Sequence, residues 1–125
     1  MKVIDSDTSI KLKSKGFNEP VFFYYQKGVL QTDNCFNRYN NGSPVISSAP
    51  FIIQVLEWLR TKKLHFELVA AAYGYNLIIS DTPEAGATDR YYTHANDDGP
   101  NDGGAWDDPD ECLVFGINYV LDKLI

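Results

Sequence analysis

Residues 108–125 constrain the fold of this chain more than any other stretch. Asp108-Pro109-Asp110-Glu111 carries the parts of a helix start. A carboxylate accepts from the first free amides, a proline takes the first helical position, where a missing N–H costs nothing, and a glutamate follows three residues after the cap. Leu113, Ile117, Val120, Leu121 and Leu124 then recur at helical spacing and make one apolar stripe. Such a helix gains most of its stability by covering that stripe, so the chain must supply a second apolar layer. Gly116 falls near the stripe and permits close approach to that layer.

Strands are the natural covering. Val21, Phe22, Phe23, Tyr24 and Tyr25 are all β-formers, and Gln26-Lys27-Gly28 reads as a turn returning through Val29–Thr32. This strand is apolar on both faces, with Val21, Phe23 and Tyr25 on one and Phe22 and Tyr24 on the other. Either both faces are covered, or one offers an aromatic patch, which makes Phe22 and Tyr24 candidate protein contacts. His65 to Ala71 alternates, turns near Tyr73-Gly74 and returns through Tyr75–Ile79 as a second hairpin; Arg90–His94 can pair as a short fifth strand. A short helix is predicted over Thr8–Lys15, capped by Asp7, stopped by Gly16 and facing Ile10 inward. A longer one is predicted over Ala49–Lys62, capped by Ser47 or Ser48, with Pro50 in its first turn and Phe51, Ile52, Val55, Leu56 and Leu59 as its stripe. Trp58 lies on the flank of that stripe, as a core edge or as a contact hot spot. Asp33–Ser48, pinned by Phe36 and Tyr39, and most of residues 81–107 read as loops, the latter mobile.

The expected fold is therefore α+β, in the order α-β-β-α-β-β-(β)-α. Two hairpins form an antiparallel sheet of four or five strands, and the two longer helices pack on one face. At 125 residues the chain, 1–125, has room for a single domain.

Composition narrows the function. The apolar share of 44% and aromatic share of 14% belong to a chain that folds. No run approaches the roughly 18–20 apolar residues of a membrane span, and the N-terminus turns polar within four residues, without the apolar core of a secretory signal. Both point to the cytoplasm and to no membrane partner. Cys35 and Cys112 are too few for a disulfide framework. The net charge of −6 is unevenly spread: ten acids between Asp81 and Glu111 face only Arg90, for a local −9. Such a segment repels phosphate and disfavours nucleic acid as a partner. Asp97, Asp98, Asp102, Asp107 and Asp108 are candidate ligands of an irregular cation site. They fail the EF-hand template, because Gly99 falls at position 3 and Asp102 at position 6. No phosphate-binding glycine loop is present, the two histidines His65 and His94 give no framework for a Cys–His pair, and no cofactor is implied.

Lys15-Gly16-Phe17-Asn18-Glu19-Pro20 before a Tyr-rich strand, Ser48-Ala49-Pro50 opening a helix with Glu57-Trp58-Leu59-Arg60, and a closing Gly116-Ile117 helix ending Leu121-x-x-Leu124-Ile125 form one series of motifs. In that order they resemble small uncharacterised proteins encoded by phages and prophages of gut anaerobic bacteria. Those proteins usually open the last helix with a Tyr-Glu-Glu-Ala-like segment, where this chain has Asp108-Pro109-Asp110-Glu111. The resemblance implies origin in a mobile element and life inside a bacterial host, and no activity. The expected function is a non-enzymatic protein-interaction or regulatory protein that binds another protein or itself, with Phe22, Tyr24 and Trp58 as contact candidates. Two alternatives stand beside it: an acidic mimic of nucleic acid that occupies a host DNA-binding protein, and a metal-binding or enzymatic domain using residues 97–111.

Overall fold

The computed structural model describes the backbone of residues 2–37, 39–81 and 89–125. It is α+β, and the described residues form three α-helices and six strands in two antiparallel three-stranded sheets. The chain divides into two compact units, residues 1–55 with 120–125, and residues 56–119. One sheet of four or five strands was expected. Alternating apolar residues specify strands but not which strands share a sheet, and here the two hairpins nucleate separate sheets.

The first unit holds helix α1 (Ser6–Ser14) and strands β1 (Val21–Gln26), β2 (Val29–Asn37) and β3 (Ile46–Ser48), in the order β2-β1-β3. The β1–β2 turn places Lys27 at φ 53° and Gly28 at φ 76°, the paired left-handed conformation of a two-residue hairpin. The predicted loop 33–48 instead contains the end of β2, a 3₁₀ turn at Tyr39–Gly42 and all of β3. The side chains of Cys35, Phe36 and Tyr39 lie outside the described residues.

Asp5, rather than Asp7, caps α1, accepting from the Thr8 hydroxyl at 2.5 Å and from its amide at 3.4 Å. The helix turns Thr8, Ser9 and Leu12 inward and leaves Ile10 59% exposed, contrary to the expected inward Ile10. Ser9 sets this phase by donating to the Ser48 carbonyl (2.7 Å) and accepting from the Ser47 hydroxyl (2.6 Å) on β3. Gly16 stops the helix at φ 89°, and Phe17 folds back into the core, as predicted. Residues 49–51 are extended rather than helical. Val3 bridges Phe51, Ile4 N–H donates to the Pro50 carbonyl, and Ile52 N–H donates to that of Lys2, both at 3.0 Å. Helix α2 therefore begins only at Ile52 and runs to Arg60. At the other end of the chain Lys11 pairs with Asp122 (3.1 Å), and Lys15 donates to the Ile125 carbonyl (2.6 Å).

The second unit holds strands β4 (His65–Ala71), β5 (Gly74–Ser80) and β6 (Arg90–Tyr92), in the order β4-β5-β6, and helix α3 (Pro109–Lys123) up to Tyr119. The second hairpin and the short fifth strand of the sequence reading are β4, β5 and β6. Asp108 caps α3, its Oδ1 accepting from Asp110 N–H at 2.9 Å, and Pro109 occupies the first helical position. Ile117, Val120 and Leu121 of the predicted stripe are fully buried and Cys112 joins them, while Leu113 and Leu124 at its ends are half-buried. Gly116 lies against the sheet, where a Cβ would meet Leu77 Cδ2 and come within 2.8 Å of Phe66 Cε2. Tyr92, fully buried, stacks edge-on to Phe115 and Tyr119 at 5.6 and 5.0 Å between centroids.

Residues 93–107, read from sequence as loop, carry a series of local hydrogen bonds. Thr93 and Asn96 form a reciprocal cap, Tyr92 Oη donates to Asp98 (2.9 Å), and Asn101 Nδ2 donates to the Tyr73 carbonyl (2.7 Å) and Asp107 (2.6 Å). Trp106 exchanges both main-chain bonds with Tyr75, at 2.7 and 3.0 Å. Glycine and aspartate here supply tight turns and caps rather than freedom.

Candidate functional site

The face of α1 that carries Ser6, Ile10 and Lys13, at i, i+4 and i+7, lines a cleft of about 340 Å³ in the first unit. Its other wall is the tip of the first hairpin, Tyr25, Lys27 and Gly28, together with the segment leading into β3, Pro44 to Ser47. Each wall follows from a local rule. Ser9 fixes the helix phase and so turns Ile10 outward. The left-handed pair Lys27-Gly28 turns the hairpin tightly. Lys13 Nζ donates to the carbonyls of Ser43 and of Ile46 (2.6 Å), tying the second wall to the helix.

The chemistry of the cleft is mixed. Ile10 and Val45 leave 59% and 58% of their surfaces in water, and Val29 and Leu30 are further exposed aliphatic side chains of the first hairpin. Beside them stand two ammonium groups. Lys13 is held by neutral carbonyls, and neither it nor Lys27 is paired with a carboxylate among the described residues. An ammonium has three donors, so Lys13 keeps one for a ligand. Tyr25 closes the floor, its hydroxyl donating to the Ile4 carbonyl (2.7 Å); burial, with the nearby Asp5 charge, raises its phenol above the ordinary range. The arrangement can grip an aliphatic group and an anion together.

The contact residues chosen from sequence differ in exposure. Phe22 is 44% exposed, with its ring 6.5 Å from that of Phe51, and Tyr24 on the same strand is half-buried. Trp58 is 8% exposed, with Lys62 Nζ 4.8 Å above its ring, so it is a core residue and offers little surface to a partner. Among the described residues no three acids, histidines or cysteines gather so as to hold a metal. Of the five candidate carboxylates, Asp98, Asp107 and Asp108 accept from Tyr92, Asn101 and the Asp110 amide, and Asp97 occupies a left-handed cap position at φ 56°. Cys112 is fully buried with its thiol 3.8 Å from the Tyr75 carbonyl, and burial pushes its pKa up to about 11. Such a thiol is a poor nucleophile.

Sequence reasoning missed the cleft. The available signal was Ile10, an isoleucine between Ser9 and Lys11 on a largely polar helix, read as core because apolar residues on short helices usually are. No protein-family model, curated protein or solved structure matches the chain.

Proposed function

We propose that this chain is a non-catalytic binding protein, and that the cleft of its first unit receives an acidic segment of a partner protein through an aliphatic anchor. The observation that carries this reading is the pairing of two water-exposed aliphatic side chains, Ile10 and Val45, with two lysines that no carboxylate neutralises among the described residues. Covering the exposed part of each aliphatic side chain is worth about 1–2 kcal/mol. Two such anchors plus a partly desolvated ion pair suit a transient partner of micromolar to millimolar affinity. The cleft has the volume of one or two anchoring side chains rather than of a folded surface. The exposed ring of Phe22 extends the apolar surface of the same unit. A regulatory role inside a bacterial host, as the resemblance to phage and prophage proteins implies, belongs to this proposal.

The test is a titration of short peptides with a leucine or isoleucine flanked by aspartates, against counterparts with lysines in their place, followed by amide shifts. Shifts at Ile10, Lys27, Gly28 and Val45 that need the aspartates and vanish in Val45→Asp support the reading. Equal response to both peptide sets, or no response at millimolar peptide, refutes it.

The acidic-mimic reading stands second, favoured by one observation: the turns bearing Asp97, Asp98 and Asp102 are tied by the hydrogen bonds of residues 93–107. Competition with DNA for a nucleic-acid-binding host protein tests it.

A further inference from the structure

Two three-stranded sheets have four edges, and three of those here are guarded. On β3 every outward main-chain group is taken. Ile46 N–H donates to Ser43 O (3.4 Å), Ile46 O accepts from Lys13 Nζ (2.6 Å), Ser48 N–H donates to Asn41 Oδ1 (2.7 Å), and Ser48 O accepts from Ser9 Oγ (2.7 Å). β6 is three residues long, breaks register against β5 and opens on Arg90. β2 breaks register against β1 between Val21 and Phe23. Shortness, irregular register and charge are the means by which an edge is kept from pairing.

β4 is different. It runs seven residues in unbroken register with β5 and has no proline, lysine or arginine. Its main-chain directions follow from β5. Tyr75 gives both of its bonds to Trp106, so it is turned away from β4, and the antiparallel alternation turns Leu77 and Ile79 away as well. Their cross-strand neighbours Ala70, Leu68 and Phe66 therefore aim N–H and C=O at the open edge. Among the described residues these groups meet no main-chain partner.

We infer that β4 pairs antiparallel with β4 of a second copy about a two-fold axis at Leu68, joining two three-stranded sheets into one of six strands. The outward residues are symmetric about Leu68. Phe66 of one copy thus exchanges bonds with Ala70 of the other, and Leu68 with Leu68. The side chains are complementary in this register and in no parallel one. The large residues His65, Phe66 and Glu67 fall opposite the small Ala71, Ala70 and Val69. Parallel pairing would set Phe66 on Phe66 and Glu67 on Glu67. Glu67, Val69, Ala70 and Ala71 are exposed, with Val69 at 36%, so the strand is open to a second copy. The contact is isologous and closes at two copies.

Sedimentation velocity on the full chain over a broad concentration series tests the pairing. The parent chain is expected to pass from monomer to dimer and no further. Ala70→Pro removes an outward N–H, not one bonded to β5, and places a ring where the second strand would lie; it is expected to stay monomeric with an unchanged far-ultraviolet spectrum. Should that variant unfold, substitutions at the exposed Val69 decide. Val69→Glu sets two carboxylate pairs opposite one another across the axis and weakens the dimer by about two- to thirtyfold, whereas Val69→Lys faces Glu67 of the other copy and holds or tightens it. A parent chain still monomeric at about 1 mM, a dimer indifferent to Ala70→Pro, or equal effects of Val69→Glu and Val69→Lys would overturn the inference.

Discussion

Replacing Gly116 by alanine sets two opposed effects against each other in α3. Helix propensity favours alanine by about 1 kcal/mol. The added Cβ, however, lands on Leu77 Cδ2 and 2.8 Å from Phe66 Cε2, against an optimum of about 3.5–4.0 Å between carbons. Leu77 is fully buried and faces Leu68 across the hairpin, so it cannot swing out to water. Phe66 is only half-buried and gives more easily. Overpacking of this kind costs about 1–3 kcal/mol, which exceeds the gain in propensity. The expected net loss is about 1 kcal/mol, a fall in Tm of about 4 °C for a chain of this size. A double-mutant cycle isolates the contact. Leu77→Ala alone is expected to cost about 2–5 kcal/mol, and less when alanine already stands at position 116, because the new methyl fills part of the vacated space. Urea unfolding followed by circular dichroism, with matching thermal melts, measures all four corners. A Gly116→Ala chain more stable than its parent, or two substitutions whose effects simply add, refutes the close-approach argument.

Asp108→Ala removes the carboxylate that accepts from Asp110 N–H and should lower stability by about 1 kcal/mol, measured by the same melts; Asp108→Asn should restore most of it. Burial pushes the Cys112 thiol from 9.0 up to about 11 and raises the Tyr92 phenol as well. The folded state thus keeps protons that the unfolded chain releases. Their stabilisation is complete below the unfolded values and is lost as pH rises through the folded ones. Stability should therefore fall between pH 9 and 11, less steeply in Cys112→Ala, as urea midpoints across that range will show. A Cys112→Ala chain with the parent's slope would contradict the assignment.

Much of this fold was legible where neighbours in sequence decide it. His65–Ala71 alternates cleanly and became β4 without adjustment, and Asp108-Pro109 carried the start of α3 in four residues. Gly116 was legible because a lone glycine beside an apolar stripe has few other uses. β3 was not, since three residues, Ile46-Ser47-Ser48, have too little pattern to stand out, and what holds them arrives from the side chain of Asn41 and from Ser9 and Lys13 far along the chain. The start of α2 was misplaced for a related reason: Pro50 suits a first turn, but its carbonyl was claimed by Ile4. The same long-range tie between Ser9 and β3 turned Ile10 out of the core and produced the cleft. Residue type announced Ile10 as core; only the phase of α1 decides which face it takes.

Residues 120–125 belong to the same unit as residues 1–55, with Asp122 on Lys11 and the Ile125 carbonyl on Lys15. The first unit is thus closed by residues far apart in sequence, and α1 keeps these two ties only when residues 120–125 are in place. Trimming the final turn of α3 would therefore register at the cleft, at the far end of the polypeptide from the cut.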